Sequence, residues 1–208
     1  RLDAHALCRN DGKVFYKNAL PNEIPQMSVG LLLDESGSMC SCDRCTYARS
    51  SAIILYDFCK ALHIPVTVYG HSTSGSSVEL YSYAEFESID NDDKYRLMDI
   101  AARGSNRDGA ALRFVAEQLV KRPEEVKILI LVSDGQPAAP GYYGSAAEED
   151  LRGIKQEYRR KGVLFIAAAI GEDKQNIERI YGDSFMDITD LNQLPVKLTA
   201  AVKRHMRV

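Results

Sequence analysis

The stretch Val29-Gly-Leu-Leu-Leu-Asp34-Glu-Ser-Gly-Ser38 indicates the fold class most clearly, because an apolar run ends abruptly in acids and hydroxyls. Continuous rather than alternating hydrophobicity at 29–33 predicts a β-strand buried on both faces, as in the parallel sheets of α/β proteins. The acids that follow then lie at the carboxyl end of a strand. In an open parallel sheet, ligands bind beyond these ends.

Other apolar runs recur along the chain, with helical segments between them. Strands are predicted at 65–69, 126–132 and 163–169, and an alternating edge strand is predicted at 77–86. Apolar residues at steps of three and four predict helices at 44–63, 109–121, 146–160 and 194–204. This order predicts an α/β fold: a doubly wound, mostly parallel, six-stranded sheet of Rossmann-like type, with helices on both faces and one antiparallel edge strand.

Composition and charge exclude several function classes. The 208 residues are 45% hydrophobic and 26% charged, and 26 Lys and Arg against 29 Asp and Glu give a net charge of −3. This composition excludes disorder and supplies no broad basic surface, so we expect no nucleic-acid partner. The longest apolar runs are far shorter than the ~20 residues that span a bilayer, so we expect no membrane span.

The first 27 residues fit the alternating pattern poorly. They contain the turn signal Asp11-Gly12 and the prolines Pro21 and Pro25. We therefore predict an N-terminal arm or linker at 1–27 and a single domain at 28–208. Because the chain begins with Arg1, we expect it to be a fragment of a longer protein.

Three of the five cysteines, Cys40, Cys42 and Cys45, lie close together in the sequence. A structural zinc site takes four ligands, and no histidine near these three completes the set. A chain of this length with a full core rarely depends on a disulfide framework. We interpret the cysteines as reduced thiols and predict a cytoplasmic location, while a metal or redox role stays open.

Acids and hydroxyls cluster where two predicted strands end. Asp34 follows the first strand, and Asp134 follows the strand at 126–132 within Ser133-Asp-Gly135. If these strands are neighbours on either side of the reversal in strand order, the two acids meet across the crevice. A third loop, at 104–109, precedes a predicted helix and adds further oxygen donors. The candidate metal ligands are Asp34, Ser36, Ser38, Asn106, Asp108 and Asp134.

These side chains offer a hard, all-oxygen ligand set. It suits Mg²⁺, or alternatively Mn²⁺ or Ca²⁺, and offers nothing soft to zinc or copper. Positions i, i+2 and i+4 of a turn converge on one point, and Gly37 lets the backbone bend between them. A divalent ion would also offset the repulsion between crowded acids. The simpler alternative is that Asp34 is a turn residue and Asp134 a helix cap.

The motifs resemble a known family. Asp34-x-Ser36-x-Ser38 after a buried strand, with Ser-Asp134-Gly after a later one, is similar to the metal-ion-dependent adhesion site (MIDAS) of von Willebrand factor A (VWA) domains. More narrowly, the stretches at 34–39, 106–112 and 133–137 resemble the C-terminal domain of the CobT subunit of aerobic cobaltochelatase. Relatives of that subunit are called nitric oxide reductase activation proteins. The domain at 28–208 is thus identified as a VWA domain.

The resemblance implies a Mg²⁺ site that binds an acidic side chain of a partner protein. It also implies work with an AAA+ ATPase and a large metal-inserting or metalloenzyme subunit, either in cobalamin biosynthesis or in metalloenzyme activation. The sequence departs from the family at one point, since many of these domains place a Thr ligand where Asn106 stands, with Asp108 two residues further on. Which of the two binds the metal stays open.

Enzymatic functions are the alternative to a binding module. A Mg²⁺-dependent hydrolase or phosphatase that uses Asp34 stays open, although Ser36 stands where a dehalogenase-type phosphatase has its second Asp. Gly70-His-Ser72-Thr-Ser74 nearly matches a hydrolase nucleophile elbow, but Ser74 replaces its last Gly. We interpret this stretch, with His71, as a polar loop. No phosphate-binding loop is present, so we expect that the chain is not itself the ATPase. As a binding module, the domain alone is expected to carry out no catalysis.

One long segment without helical character, at 136–144, follows the strand at 126–132 and contains Tyr142 and Tyr143. We predict that it is a loop beside the site and that it selects the partner. The alternative is a solvated connector.

Overall fold

The computed structural model describes residues 26–88, 92–135, 137–169 and 174–188, together with 190, 196, 197 and 200. The N-terminal arm predicted at 1–27 lies outside these ranges up to residue 25. Most of the helix predicted at 194–204 lies outside them as well. Both therefore stay predictions.

Strands and helices alternate along the described chain. The strands are β1 Met27–Asp34, β2 Val66–Ser74, β3 Ser77–Ala84, β4 Val126–Ser133, β5 Ala138–Ala139, β6 Tyr142–Tyr143, β7 Val163–Ala169 and β8 Phe185–Asp187. The α-helices are α1 Arg44–Ala61, α2 Asp93–Arg96, α3 Asp108–Val120, α4 Gly144–Arg160 and α5 Lys174–Tyr181. Short 3-10 helices lie at Gly37–Cys40, Leu97–Asp99 and Gly182–Ser184.

Six strands of the described chain form one sheet in the order β3-β2-β1-β4-β7-β8. All neighbours are parallel except β3, which pairs antiparallel with β2 at one edge. The predicted fold class is thus confirmed. The chain winds outward from β1 to one side and then from β4 to the other, so the strand order reverses between β1 and β4. Ligands of doubly wound sheets bind at such a switch point, beyond the carboxyl ends of the strands.

Helices cover both faces of the sheet, as predicted. Leu31 and Leu33 of β1 lie in the core under α1, whereas Leu32 lies in the opposite core under α3 and α4. Gly30 lets α3 pack close to strand β1. A Cβ added at this position would stand only 2.8 Å from Val115 Cγ1. Helices α1 and α4 place apolar residues on the sheet at steps of four, three and four, at Ala48, Ala52, Leu55 and Cys59 and at Ala147, Leu151, Ile154 and Tyr158.

Three parts of the sequence prediction differ from the structure. Strand β2 continues to Ser74, so the stretch at 70–74, interpreted as a polar loop, is strand instead. The described part of the predicted loop at 136–144 contains a two-stranded hairpin, in which Ala138 pairs with Tyr143. Helix α5 and strand β8 had not been located in the sequence. Among the described residues, no helix combines the length and the apolar character that crossing a membrane requires.

Candidate metal centre

Asp34 is the last residue of β1 and is only 1% exposed. Its Oδ1 accepts a hydrogen bond from the backbone N–H of Ser36 at 2.8 Å. Its Oδ2 accepts two more, from Asn106 Nδ2 at 2.6 Å and from Ser133 Oγ at 2.8 Å. One carboxylate thus joins the ends of β1 and β4 to the loop before α3, as the sequence predicted for these three segments.

The two serines of the first loop meet at the same place. Ser36 Oγ and Ser38 Oγ lie 2.9 Å apart, Ser36 being buried and Ser38 exposed. The loop is anchored to the second one, because the Gly37 N–H donates to the Gly104 carbonyl oxygen at 2.7 Å. Ser38 therefore forms the solvent-facing side of the site, and Asp34 and Ser36 form its buried side.

Asn106 is the second-loop residue that reaches Asp34. The side chain is 1% exposed, and while its amide nitrogen donates to Asp34, its Oδ1 is buried without a hydrogen-bond partner. Buried polar atoms are nearly always paired in folded proteins. An amide oxygen that is unpaired beside a buried carboxylate can serve as a ligand of a cation.

Asp108, the other second-loop candidate, lies beside a residue that sequence reasoning missed. Its Oδ1 stands 3.2 Å from Nε2 of His71, a fully buried residue of β2 that is in register with Asp34. Burial alone lowers the pKa of His71, but the carboxylates of Asp108, Asp34 and Glu35 outweigh this, so the pKa is raised above its ordinary value. The position of His71 was missed because strand β2 continues through the polar residues at 70–74. Asp108 therefore has a basic side chain beside it.

Asp134 follows β4 and contacts the start of α1. Arg44 Nη1 lies 3.3 Å from Asp134 Oδ2 and 3.4 Å from the Ser38 carbonyl oxygen. The Asp134 side chain is 7% exposed and that of Arg44 is 16% exposed. The six predicted ligands thus lie in segments that meet at the carboxyl ends of the parallel strands, although Asp108 and Asp134 each lie against a basic side chain.

The electrostatics at Asp34 favour a cation. Burial raises the pKa of the Asp34 carboxyl above its usual range, and the Asp108 carboxylate raises it further, whereas His71 and the hydrogen bonds from Ser36 lower it. Among the described residues, no three His, Cys, Asp or Glu side chains form a metal-holding group. Hydroxyl and amide oxygens must therefore complete any ligand set. The free Asn106 oxygen and the two serine hydroxyls fit a hard divalent ion.

The side chain of Glu35, next to Asp34, contacts residues other than the predicted metal ligands. Tyr83 OH donates to Glu35 Oε1 at 2.5 Å, and Arg103 Nε donates to Oε2 at 2.6 Å. The Arg103 guanidinium also lies 4.0 Å from the centre of the Tyr81 ring. The Arg103 backbone N–H donates to the Glu35 carbonyl oxygen. Glu35 therefore fastens the loop that carries Asn106 onto the first loop.

The hairpin of β5 and β6 lies beside the second loop. The Ala138 N–H donates to the Asn106 carbonyl oxygen at 3.1 Å, and Arg107 Nη2 donates to the Pro140 carbonyl oxygen at 2.7 Å. Tyr142 OH donates to Asp150 of α4 at 2.8 Å. Tyr143, at the start of α4, is 69% exposed. An ordered hairpin, rather than a long irregular loop, thus lies next to the site.

The nearby cysteines do not join this centre in the described structure. Cys40 and Cys42 are exposed, Cys45 is half-buried, and all three are free thiols. Cys45 Sγ donates to the Ile100 carbonyl oxygen at 3.6 Å.

Comparisons with known proteins agree with this architecture. YojO, an uncharacterized protein of Bacillus subtilis, is 25% identical over 206 residues, which cover 92% of this chain and 32% of YojO. NorD of Brucella suis is 34% identical over 97 residues, 45% of this chain and 15% of NorD. The vWF domain of the pilus tip protein Mfa5 from Porphyromonas gingivalis has a TM-score of 0.60 at 10% identity, covering 88% of this chain and 96% of that one.

The chain spans less than a third of the length of these two sequence relatives. The structural neighbour shows the fold alone, since its identity is low. The family model of the cobalamin biosynthesis protein CobT VWA domain matches residues 95–206, from α2 onward, which is more than half of the chain. This chain therefore belongs to the CobT-type VWA domain family.

Proposed function

We propose that this domain is a metal-dependent protein-binding module of a chelatase-type or metalloenzyme-activating complex. The observation that carries the proposal is the convergence of three loops on the buried carboxylate of Asp34, next to an amide oxygen of Asn106 that has no hydrogen-bond partner. Membership of the CobT-type VWA family supports it.

The proposed metal is Mg²⁺, with Mn²⁺ or Ca²⁺ as alternatives. Its ligands would come from Asp34, Ser36, Ser38 and Asp134, and from Asn106 rather than Asp108 in the second loop. The reason is that the Asn106 amide already contacts Asp34, whereas Asp108 Oδ1 lies against His71. A bound divalent ion would supply a Lewis-acidic docking point for an oxygen ligand.

The charge of the surrounding groups would keep that docking point attractive to an acid. Three carboxylates facing one ion would neutralise most of its charge. Here His71 lies against Asp108 and Arg44 lies against Asp134, so two of the three carboxylates have basic side chains beside them. The ion would then retain positive charge for a carboxylate of the partner protein.

The proposed partners are an AAA+ ATPase and a large metal-inserting or metalloenzyme subunit. The matched family model points to cobalamin biosynthesis. The resemblance of the motifs to nitric oxide reductase activation proteins suggests metalloenzyme activation as the other pathway. The hairpin beside the site, where Tyr143 is 69% exposed, would contact such a partner and select it.

The enzymatic alternatives lack such support. The Asp34 carboxylate is 1% exposed, which does not suit a nucleophile that must reach a substrate, whereas its Oδ1, which accepts from the Ser36 N–H, keeps a lone pair for a small ion. Ser72 lies within strand β2, where its hydroxyl accepts from the Gly104 N–H at 2.8 Å. A nucleophile elbow requires a sharp strand-to-helix turn, which is absent at this position.

The proposal is tested by capture of partners from an extract of the source organism with the immobilised chain. We expect an AAA+ ATPase in the presence of MgCl₂ and its loss with EDTA or with Asp34→Asn. The matched control is Asp57→Asn, because Asp57 is an exposed carboxylate on α1, away from the site. Equal capture by wild type and Asp34→Asn, or capture insensitive to chelator, would overturn the proposal. Hydrolysis of phosphate or acyl esters that Asp34→Asn abolishes would favour the enzyme instead.

A further inference from the structure

A second surface lies on the face of the molecule formed by α4 and α5, apart from the metal centre. A groove of about 250 Å³ between these helices is lined by four cationic side chains and by the turn at Gly182. The four cations are Arg152, Lys155, Arg159 and Arg179. We call this surface the basic groove.

The described carboxylates beside the basic groove offset only part of its charge. Asp183 forms ion pairs with Lys155 Nζ at 2.6 Å and with Arg159 Nη1 at 3.4 Å. Glu148 forms ion pairs with Arg152 Nη2 at 3.0 Å and with Arg179. Four cations against two carboxylates leave a surplus of two positive charges. Arg159 and Arg179 keep 61% and 54% of their side chains exposed, so this charge faces solvent.

A groove of the same size and the opposite charge lies at the other edge of the sheet. It also measures about 250 Å³ and lies between the end of β3 and α2. Asp93 is paired with Arg96 at 2.5 Å, and Arg122 lies 3.6 Å from Glu87 and 2.8 Å from Glu124. Together with Glu85, these described carboxylates outnumber the two arginines by two, and Glu85 and Glu87 are exposed. Glu87 is 89% exposed. We call this surface the acidic groove.

The topology sets the two grooves at opposite edges of one sheet. The acidic groove adjoins β3, the outer strand on one side, and the basic groove adjoins the turn that leads into β8, the outer strand on the other. Glu85 follows Ala84, which pairs with Val68 near the start of β2. The acidic groove thus lies toward the amino ends of the parallel strands, and Asp34 lies at their carboxyl ends.

We propose that the occupant of the basic groove is a second copy of this chain, which presents its acidic groove. The charge surplus of one groove matches that of the other in size and is opposite in sign. Because the two surfaces differ, the contact is head-to-tail, and repetition closes a ring or extends a filament. Such a contact leaves the metal centre free for a partner, so the inference goes beyond the proposed function and does not depend on it.

The association is weak and depends on salt. Exposed ion pairs contribute little each, and their main effect is to steer and orient the encounter. Raising the salt concentration from about 0.05 M to about 0.5 M shortens the screening length from over 10 Å to roughly 4 Å. The self-association must therefore fall sharply over this range.

Two charge variants of the chain test the proposal. The first, Arg159→Glu with Arg179→Gln, removes the basic groove's surplus. The second, Glu85→Gln with Glu87→Lys, removes the acidic charge. Its new amide oxygen can still accept the hydrogen bond that Tyr69 OH donates to Glu85 at 2.6 Å. Each variant changes the net charge by three units at exposed positions, and circular dichroism melting checks that each one folds.

Sedimentation velocity at low salt supplies the readout. We expect the wild type to show a mass above the 23.1 kDa of one chain, rising with concentration, and each variant alone to stay at one chain. An equal mixture of the two variants must recover association, because the acidic groove of the first still fits the basic groove of the second. A wild type that stays at one chain at all concentrations, or a mixture that does not associate, overturns the proposal. Binding of poly-glutamate by a wild type that stays at one chain would assign the basic groove to an acidic segment of another protein.

Discussion

Two adjacent carboxylates, Asp34 and Glu35, are equally buried and have opposite surroundings. Glu35 meets the guanidinium of Arg103 and the hydroxyl of Tyr83, so its charge and its oxygens are satisfied inside the protein. Asp34 accepts its hydrogen bonds from neutral groups and lies beside an amide oxygen of Asn106 that has no hydrogen-bond partner. The carboxylate of Glu35 is satisfied within the protein and has a structural role, whereas the unpaired Asn106 oxygen beside Asp34 is available to a cation.

The largest loss of stability is expected from Gly70→Ala, which disturbs Glu35, the structural member of this pair. An added Cβ at Gly70 would overlap Glu35 Oε1 and stand 2.9 Å from the Tyr83 ring. We expect the free energy of unfolding to fall by about 3 kcal/mol, because the buried Glu35 and Tyr83 side chains must move apart and lose their contacts. Urea denaturation measures it. The control is Gly153→Ala in α4, where no atom lies within 4 Å of the added Cβ and a gain of up to about 1 kcal/mol is expected. Similar losses in both variants would contradict this role of Gly70.

A smaller loss is expected from Arg103→Met, which keeps most of the side-chain length and removes the charge. Glu35 is then a buried carboxylate without its cation, and we expect the free energy of unfolding to fall by about 2 kcal/mol, less than for a fully buried pair because Arg103 is 36% exposed. Adding Glu35→Gln to this variant should recover part of the loss. If the double variant is no more stable than Arg103→Met, the ion pair does not hold the loop.

The third effect is smaller and depends on pH. Arg113 and Tyr142 hold the pKa of Asp150 below its ordinary value, despite partial burial. A folded-state pKa below the unfolded one adds stability above the unfolded value of 3.8, and this stability is lost as pH falls through the folded pKa. We expect Asp150→Asn to cost about 1 kcal/mol at about pH 6 and almost nothing at about pH 2. Urea denaturation at both pH values checks this, and a cost independent of pH would contradict it.

Sequence reasoning recovered the fold because buried parallel strands are continuous apolar runs. It found β1, β4 and β7 in this way, and it found that Asp34 and Ser133-Asp134 follow neighbouring strands. It missed β8, which has three residues, and α5, whose eight residues are mostly polar. Short elements of that kind depend on contacts with the rest of the sheet, which a local pattern does not show.

Within the site, the chemical types of the residues were predictable and their pairing was not. His71 was interpreted as a loop residue because polar side chains at 70–74 are typical of loops, yet the strand continues there and buries it against Asp108. Arg44 lies ten residues beyond Asp34 in sequence, and only the turn between them brings it to Asp134. Such contacts between distant segments decide which acid is free for a metal.

The smallest change in stability is expected at Asp34 itself. In Asp34→Asn, the remaining carbonyl oxygen still accepts from the Ser36 N–H, Ser133 can become an acceptor, and the Asn106 amide can turn over. Removing a buried charge near Asp108 is favourable and offsets the remaining loss of hydrogen-bond energy. We therefore expect the free energy of unfolding without metal to stay within about 1 kcal/mol of the wild type. A large loss would place Asp34 among the structural carboxylates with Glu35.

The metal centre itself is tested by calorimetric titration of MgCl₂ into the wild type and into Asp34→Asn. We predict one ion bound per wild-type chain and an affinity weakened roughly tenfold or more in Asp34→Asn, with folding intact. We also predict unchanged binding in the exposed-carboxylate control Asp57→Asn. A wild type that binds no Mg²⁺, Mn²⁺ or Ca²⁺, or an Asp34→Asn variant that binds them as tightly as the wild type, would contradict a metal centre at Asp34.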